Sequence, residues 1–204
     1  MHEGLWEKLV ALDPVETARR AKCEYMPATG HYEVVLLGCT YIIDAGERRI
    51  YQKEFAHQDQ ETAEAGFLEQ LCILAYLINA RDVPLANKLV RAEALEAGTF
   101  FFRGPHTLPV EKLVAAFGDD PALLYKAGDS LEAKRPGYGD ASIELSVLPR
   151  FGLTLVVWGV DAEFSGRASI LFDQTAGKQL PLDAIGAAVE IAVKAVISSL
   201  GKGS

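Results

Sequence analysis

The chain has 204 residues, half of them hydrophobic and 24% charged, a balance that excludes the disordered, collagen-like and low-complexity classes. Its 28 acids against 20 bases leave a formal net charge of −8, which repels a phosphate backbone and argues against general nucleic-acid binding. The adjacent basic pairs, Arg19-Arg20, Arg48-Arg49 and Lys134-Arg135, are scattered, so no basic membrane-binding patch is expected.

Two short helices open the chain. Leu5, Trp6, Leu9 and Val10 recur at helical spacing, and Asp13-Pro14-Val15-Glu16 then signals a second start, with Asp13 as cap and Pro14 at the first helical position. MHEGLWEKLVALD carries acids and no apolar core of signal-peptide length. From His31 the period changes. HYEVVLLG and TYIID are extended runs, Asp44-Ala45-Gly46-Glu47 is a turn signal, and RRIYQKEF resumes the extended pattern, so a small antiparallel meander is expected.

Residues 60–80 read as the longest early helix, with Ala63, Phe67, Leu71, Leu74, Ala75 and Ile78 on its apolar face and Leu68, Cys72 and Tyr76 widening it. Its greasy run from Phe67 to Ala80 is broken by Glu69, Gln70 and Asn79, and a bilayer span needs about 20 apolar residues, so it reads as a buried helix. A soluble cytoplasmic protein is the expectation. Residues 85–108 mix helical and extended cues. Helices are expected from Pro109 to Phe117, closed by Gly118, and from Pro121 to about Leu131, followed by a glycine- and proline-rich loop over 132–140. Ile143, Leu145 and Val147 alternate before Pro149, and Leu153–Trp158 is continuously apolar, as in a strand covered on both faces. Ile185, Ala188, Val189, Ala192, Val193, Val196, Ile197 and Leu200 give an amphipathic C-terminal helix between Pro181 and Gly201.

Strands cluster at 31–55 and 141–173 without alternating β and α units, which disfavours a doubly wound fold. The expected class is α+β, a mainly antiparallel sheet with packed helices and a long amphipathic C-terminal helix. It is read as a single domain over 1–204, with 132–140 the place for any subdomain seam.

Several stretches resemble one known family: ARRAKCEY, then HYEVVLLGCTYII, the LAYLINA helix, and above all LPRFGLTLVVWGVDAEFSGRASILFD. The most specific pattern is Leu148-Pro149, an apolar strand, Trp158, Asp161, Glu163-Phe164 and Leu171-Phe172-Asp173. The chain is similar over nearly its whole length to an uncharacterised family of anaerobic bacteria and archaea, designated DUF3786. That resemblance implies service near oxygen-sensitive cofactors, in corrinoid-dependent or acetyl-CoA-pathway metabolism. It carries no activity and no catalytic residues to transfer. Some members are joined to a cysteine-rich iron–sulfur segment, which this chain lacks.

Cys23, Cys39 and Cys72 are an odd number at wide gaps with no C-x-x-C, too few for a zinc or iron–sulfur site, so reduced thiols and no metal set are expected. G-x-S-x-G, H-E-x-x-H, Walker and G-x-G-x-x-G patterns are missing, and Gly137-Tyr138-Gly139 lacks the spacing of a phosphate loop. His2, His31 and His57 have no partner at motif spacing.

Two clusters are candidate ligand-binding sites. In the first, Asp161 and Glu163 would share a side if the Trp158 strand continued through them. Pairing back through a turn at Ser165-Gly166 would then set Asp173 beside residues 156–158 and Trp158. A hard cation needs several oxygens converging within about 2.6 Å, so this geometry favours strand ends, caps and turn acids over a cation site. The second cluster is Thr99–His106. Three consecutive phenylalanines cannot all face one core, Arg103 has the planar fork that holds carboxylate or phosphate, and His106 is able to donate, accept or ligate. Both residues also fit a structural loop.

The leading functional expectation is a binding or accessory module whose partner is another protein or a small-molecule cofactor, with the cofactor's identity open. The alternative is a small hydrolase or lyase that divides acid and base roles among Asp161, Glu163 and Asp173, with Arg103 and His106. A structural subunit would instead show an exposed apolar patch at Phe100–Phe102.

Overall fold

The computed structural model describes residues 2–55 and 64–202. Among them are seven α-helices and two four-stranded antiparallel sheets, an α+β architecture. The chain clusters into two compact units. The first takes Met1–Pro84, Val147–Phe151 and Lys178–Ala188, and the second takes Leu85–Ser146, Gly152–Gly177 and Val189–Ser204. No helix among the described residues is long and apolar enough to cross a membrane.

In the first unit, α1 (Glu3–Val10) buries Trp6 and Leu9, and α2 (Pro14–Ala21) starts as its residues dictate. The Asp13 side chain accepts from the Glu16 N–H at 2.7 Å, and Pro14 stands where the helix needs no donor. The sheet runs in chain order through β1 (Glu24–Met26), β2 (His31–Leu36), β3 (Cys39–Asp44) and β4 (Arg49–Gln52). Tyr32, Val34, Leu36, Tyr41, Ile43 and Ile50 are buried. The strand expected over RRIYQKEF is shorter than its pattern, because the chain tightens into a 3₁₀ turn at Lys53–Phe55.

The long early helix is α3 (Phe67–Asn79), packed against α1 and α2. The expected start at residue 60, with Ala63, falls outside the described residues, as does His57. Residues 64–66 are extended instead of helical. Glu64 bridges Tyr51, and the Ala65 N–H donates to the Ile50 carbonyl at 2.8 Å, so this stretch continues the sheet. Phe67, expected on the buried face, is 54% exposed against the His2 ring, while Cys72–Leu77 are buried. Around the end of α3, the Tyr76 hydroxyl donates to the Ala21 carbonyl at 2.7 Å and accepts from the Arg150 N–H at 3.0 Å. Arg150 Nε donates to the Arg20 carbonyl at 2.7 Å, and its guanidinium pairs with Asp82 at 2.6 Å.

The second unit opens with short pieces over 85–108: β5 (Leu89–Arg91), a 3₁₀ turn at Ala92–Ala94, α4 (Gly98–Phe101) and a 3₁₀ turn at Gly104–His106. Gly98 is required there, because a Cβ would lie 2.0 Å from the Ala92 carbonyl oxygen. α5 (Val110–Phe117) and α6 (Ala122–Asp129) follow as expected, with Leu113, Phe117 and Leu124 fully buried. The sheet order is β5-β8-β7-β6, with β6 Ala141–Leu148, β7 Phe151–Trp158 and β8 Arg167–Asp173. Leu153–Val157 is buried without interruption. The tip of the β6–β7 hairpin clusters with the first unit, and α7 (Leu182–Ser199) belongs to the first unit up to Ala188 and to the second from Val189. Ile185, Ala188, Val189, Ala192, Val193 and Val196 of α7 are buried, the stripe its spacing requires.

Candidate functional site: a groove along strand β8

The second unit carries a groove of about 940 Å³, within the range of small-ligand sites. The register of the sheet places it. β7 covers β8 from Trp158↔Arg167 to Leu153↔Phe172, whereas β5 reaches only its last three residues, ending at Arg91↔Leu171. Arg167–Ile170 therefore has no outer strand among the described residues, and all four of these residues line the groove. Successive side chains of a strand point to opposite faces, so four in a row line one groove only where the strand is presented edge-on. The other walls are Arg91–Glu93, Phe102, the Thr107–Lys112 entry into α5, Trp158 and Glu190.

The cross-strand pair Trp158↔Arg167 shapes one end. The Arg167 guanidinium lies 4.9 Å from the centre of the Trp158 ring, a cation–π contact that orients its planar fork. Lys112 and Glu190 neutralise each other at 2.8 Å. Arg91 and Arg167 form no ion pair among the described residues. Glu93 and Glu111 also line the groove, so its charge is mixed, and Phe102, Leu108, Val110 and Ile170 add apolar surface.

Of the residues singled out in the sequence, Trp158 lines this groove, as does Phe102 of the Thr99–His106 cluster, whereas Arg103, His106, Asp161, Glu163 and Asp173 do not. Arg103 lies over the exposed Phe100 ring at 5.9 Å, and His106 stacks on Phe101 at 4.7 Å. The three phenylalanines do divide: Phe100 is 82% exposed, Phe101 half-buried and Phe102 buried.

The strand does not continue through Asp161 and Glu163. It ends at Trp158, and the Asp161 carboxylate turns the chain by accepting from the N–H groups of Glu163 at 2.8 Å and Phe164 at 2.7 Å. Those two bonds, with the charge of Arg167 adding to them, hold its carboxyl below the usual carboxylate range. Glu163 is exposed and gives this turn its N–H.

The expected placement of Asp173 beside 156–158 is also corrected. The connection is the whole of 159–166 instead of a tight turn at Ser165-Gly166, so Arg167 faces Trp158, and Asp173 faces Leu89 at the far end of β8. Asp173 Oδ1 accepts from the Ala86 N–H at 3.1 Å and from the Thr175 N–H and hydroxyl at 2.9 and 2.6 Å. Burial works to raise this carboxyl, but the bonds from Thr175, Ala86 and Asn87 prevail and it is lowered.

Arg91 and Arg167 carry the groove's cationic chemistry, and neither stands out in the sequence. Arg91 sits in the mixed 85–108 stretch. Arg167 becomes visible only when the Asp161 turn is recognised and the strand register shifts with it. Among the described residues no three His, Cys, Asp or Glu side chains gather as a metal set. Cys72 is buried, its thiol pushed up to about 12 by desolvation, and burial likewise lifts Cys23 to about 12, so neither is an activated nucleophile. No curated protein and no solved structure matches the chain. Every residue that builds the groove lies within 13–195, the stretch that matches the family model described as Domain of unknown function (DUF3786), and the chain belongs to that family.

Proposed function

We propose that the chain is a binding or accessory module, not a catalyst in its own right, and that the groove beside β8 is where it holds its partner. The observation that carries this reading is the oriented Arg167–Trp158 pair opening onto a large groove with a second arginine, Arg91, that forms no ion pair among the described residues. An arginine fixed on an aromatic ring loses little further freedom when it forms a bidentate hydrogen bond, which is preorganisation for recognition. The acids considered for a hydrolase or lyase do not support that alternative equally. Asp161 and Asp173 each engage Oδ1 with main-chain N–H donors of the neighbouring turns, and none of the three acids lines the groove.

The resemblance to anaerobe proteins gives the working context, service to cofactor- or metal-dependent metabolism, and the ligand is a partner protein or a small-molecule cofactor of mixed polarity. Native mass spectrometry with elemental analysis on chain purified without oxygen tests the reading. Wild type should retain a stoichiometric extra mass, and Arg167→Glu should lose it while keeping its circular-dichroism spectrum. Wild type that turns over a substrate and retains nothing would contradict the reading, as would a variant that keeps the same mass.

A further inference from the structure

We infer that the groove takes a small zwitterion, a molecule of the free amino-acid kind whose carboxylate is held by Arg167 and whose ammonium group is held by Glu111. This rests on the groove being the binding site and goes further, because it names the ligand class.

The ionisable lining carries the argument. Arg91, Lys112 and Arg167 are matched by Glu93, Glu111 and Glu190, so the groove has no net charge. Lys112 and Glu190 neutralise each other directly, at 2.8 Å. The remaining arginines and glutamates form no ion pair among the described residues, although all of them line the same groove. Opposite charges held apart in this way attract a ligand that carries both signs. A simple anion gains at the arginines and loses at the glutamates, and a simple cation does the reverse. Phe102, Leu108 and Ile170 supply apolar surface for the body of the ligand, and about 940 Å³ is room for a small molecule.

The packing of α5 on β8 brings one opposed pair to the same end of the groove. Val114 Cγ1 lies 3.5 Å from the position a Cβ would take on Gly166, the residue before Arg167. Glu111 precedes Val114 by one turn and shares its helix face. Arg167 lies over the Trp158 ring, 4.9 Å from its centre, a contact that holds the guanidinium in place while leaving it without a carboxylate. Arg91 and Glu93 repeat the mix where β5 ends. A doubly charged anion reaching from one arginine to the other would therefore meet an acid at both ends.

The test uses the full chain and a panel of zwitterions, the protein amino acids and linear ω-amino acids of graded length, titrated by NMR. At least one member should bind with a Kd of about 1 mM or tighter. For that member, N-acetylation removes the cationic end and conversion to the carboxamide removes the anionic end, and each should lower the affinity about tenfold or more. Glu111→Gln should bind the parent about tenfold more weakly and no longer distinguish it from the N-acetyl form. Arg167→Gln should do the same for the parent and the carboxamide. A panel with no such binder would overturn the inference. So would an N-acetyl or carboxamide form that binds as well as its parent, or penalties that persist in the two variants, because the charges would then be read elsewhere. In each of these cases a copurified mass lost from Arg167→Glu would leave the binding reading standing, and its persistence in the variant would remove both.

Discussion

Asp173 shows at a single residue how an acid in a suggestive pattern is used up by the fold. Its Oδ1 gathers three donors from Ala86 and Thr175 and so ties the chain before β5 to the end of β8. Asp173→Ala strands those donors, and since hydrogen bonds to a charged group contribute about 1.5–3 kcal/mol, urea unfolding should register a loss of about that size. The pH dependence has a definite sign. The folded carboxyl is held below its unfolded value, so its stabilisation is complete above about pH 4 and disappears as the pH falls through the folded value. Wild type should therefore lose its advantage over Asp173→Ala in acid. A difference that is constant from neutral to acid pH would show that the carboxylate's charge is not what holds the loop.

Among the elements, those with their own periodicity or capping chemistry were legible in the sequence. α2 begins where Asp13 and Pro14 require, α5 and α7 follow their apolar spacing, and Leu153–Val157 is as continuously buried as it is apolar. β5 is three residues long and is defined only by a distant partner, β8, so no local pattern announces it, whereas β1, also three residues, pairs with β2 across the turn at 27–30. The loop over 159–166 hid for a different reason. Its turn is made by one side chain, Asp161, inside a stretch whose flanks both read as strand, and missing it displaced the register that brings Arg167 to Trp158. Trp158 was therefore legible as a candidate while the residue it faces, Arg167, was not. The cap on α2 gives an element-scale check. Asp13→Ala removes the acceptor for the Glu16 N–H and should cost about 1 kcal/mol, whereas Asp13→Asn should cost much less. Equal losses in denaturant melts would place the stabilisation in charge and not in the cap.

At the scale of the whole molecule, each compact unit is assembled from separated segments. The first unit needs Val147–Phe151 and Lys178–Ala188 as well as its first 84 residues. Arg150 satisfies Tyr76 and the Arg20 carbonyl, and the Gln179 side chain accepts from the Arg81 N–H at 3.1 Å while donating to the Arg81 carbonyl at 3.2 Å. A fragment ending at Pro84 lacks all of these. It should give a broad, non-cooperative thermal transition, and a sharp cooperative one would show that the first segment folds without its returning strands.

The central claim, that the groove along β8 is the binding site, is most directly tested on the two tryptophans. Trp6 is 1% exposed in the first unit, and Trp158 lies half-buried on the groove. Their indole N–H signals can be assigned by Trp158→Phe and followed by NMR while the copurified ligand is returned to the chain. A saturable shift of the Trp158 signal, with Trp6 unmoved, is the predicted result. A shift of Trp6 while Trp158 stays in place would put the binding site elsewhere.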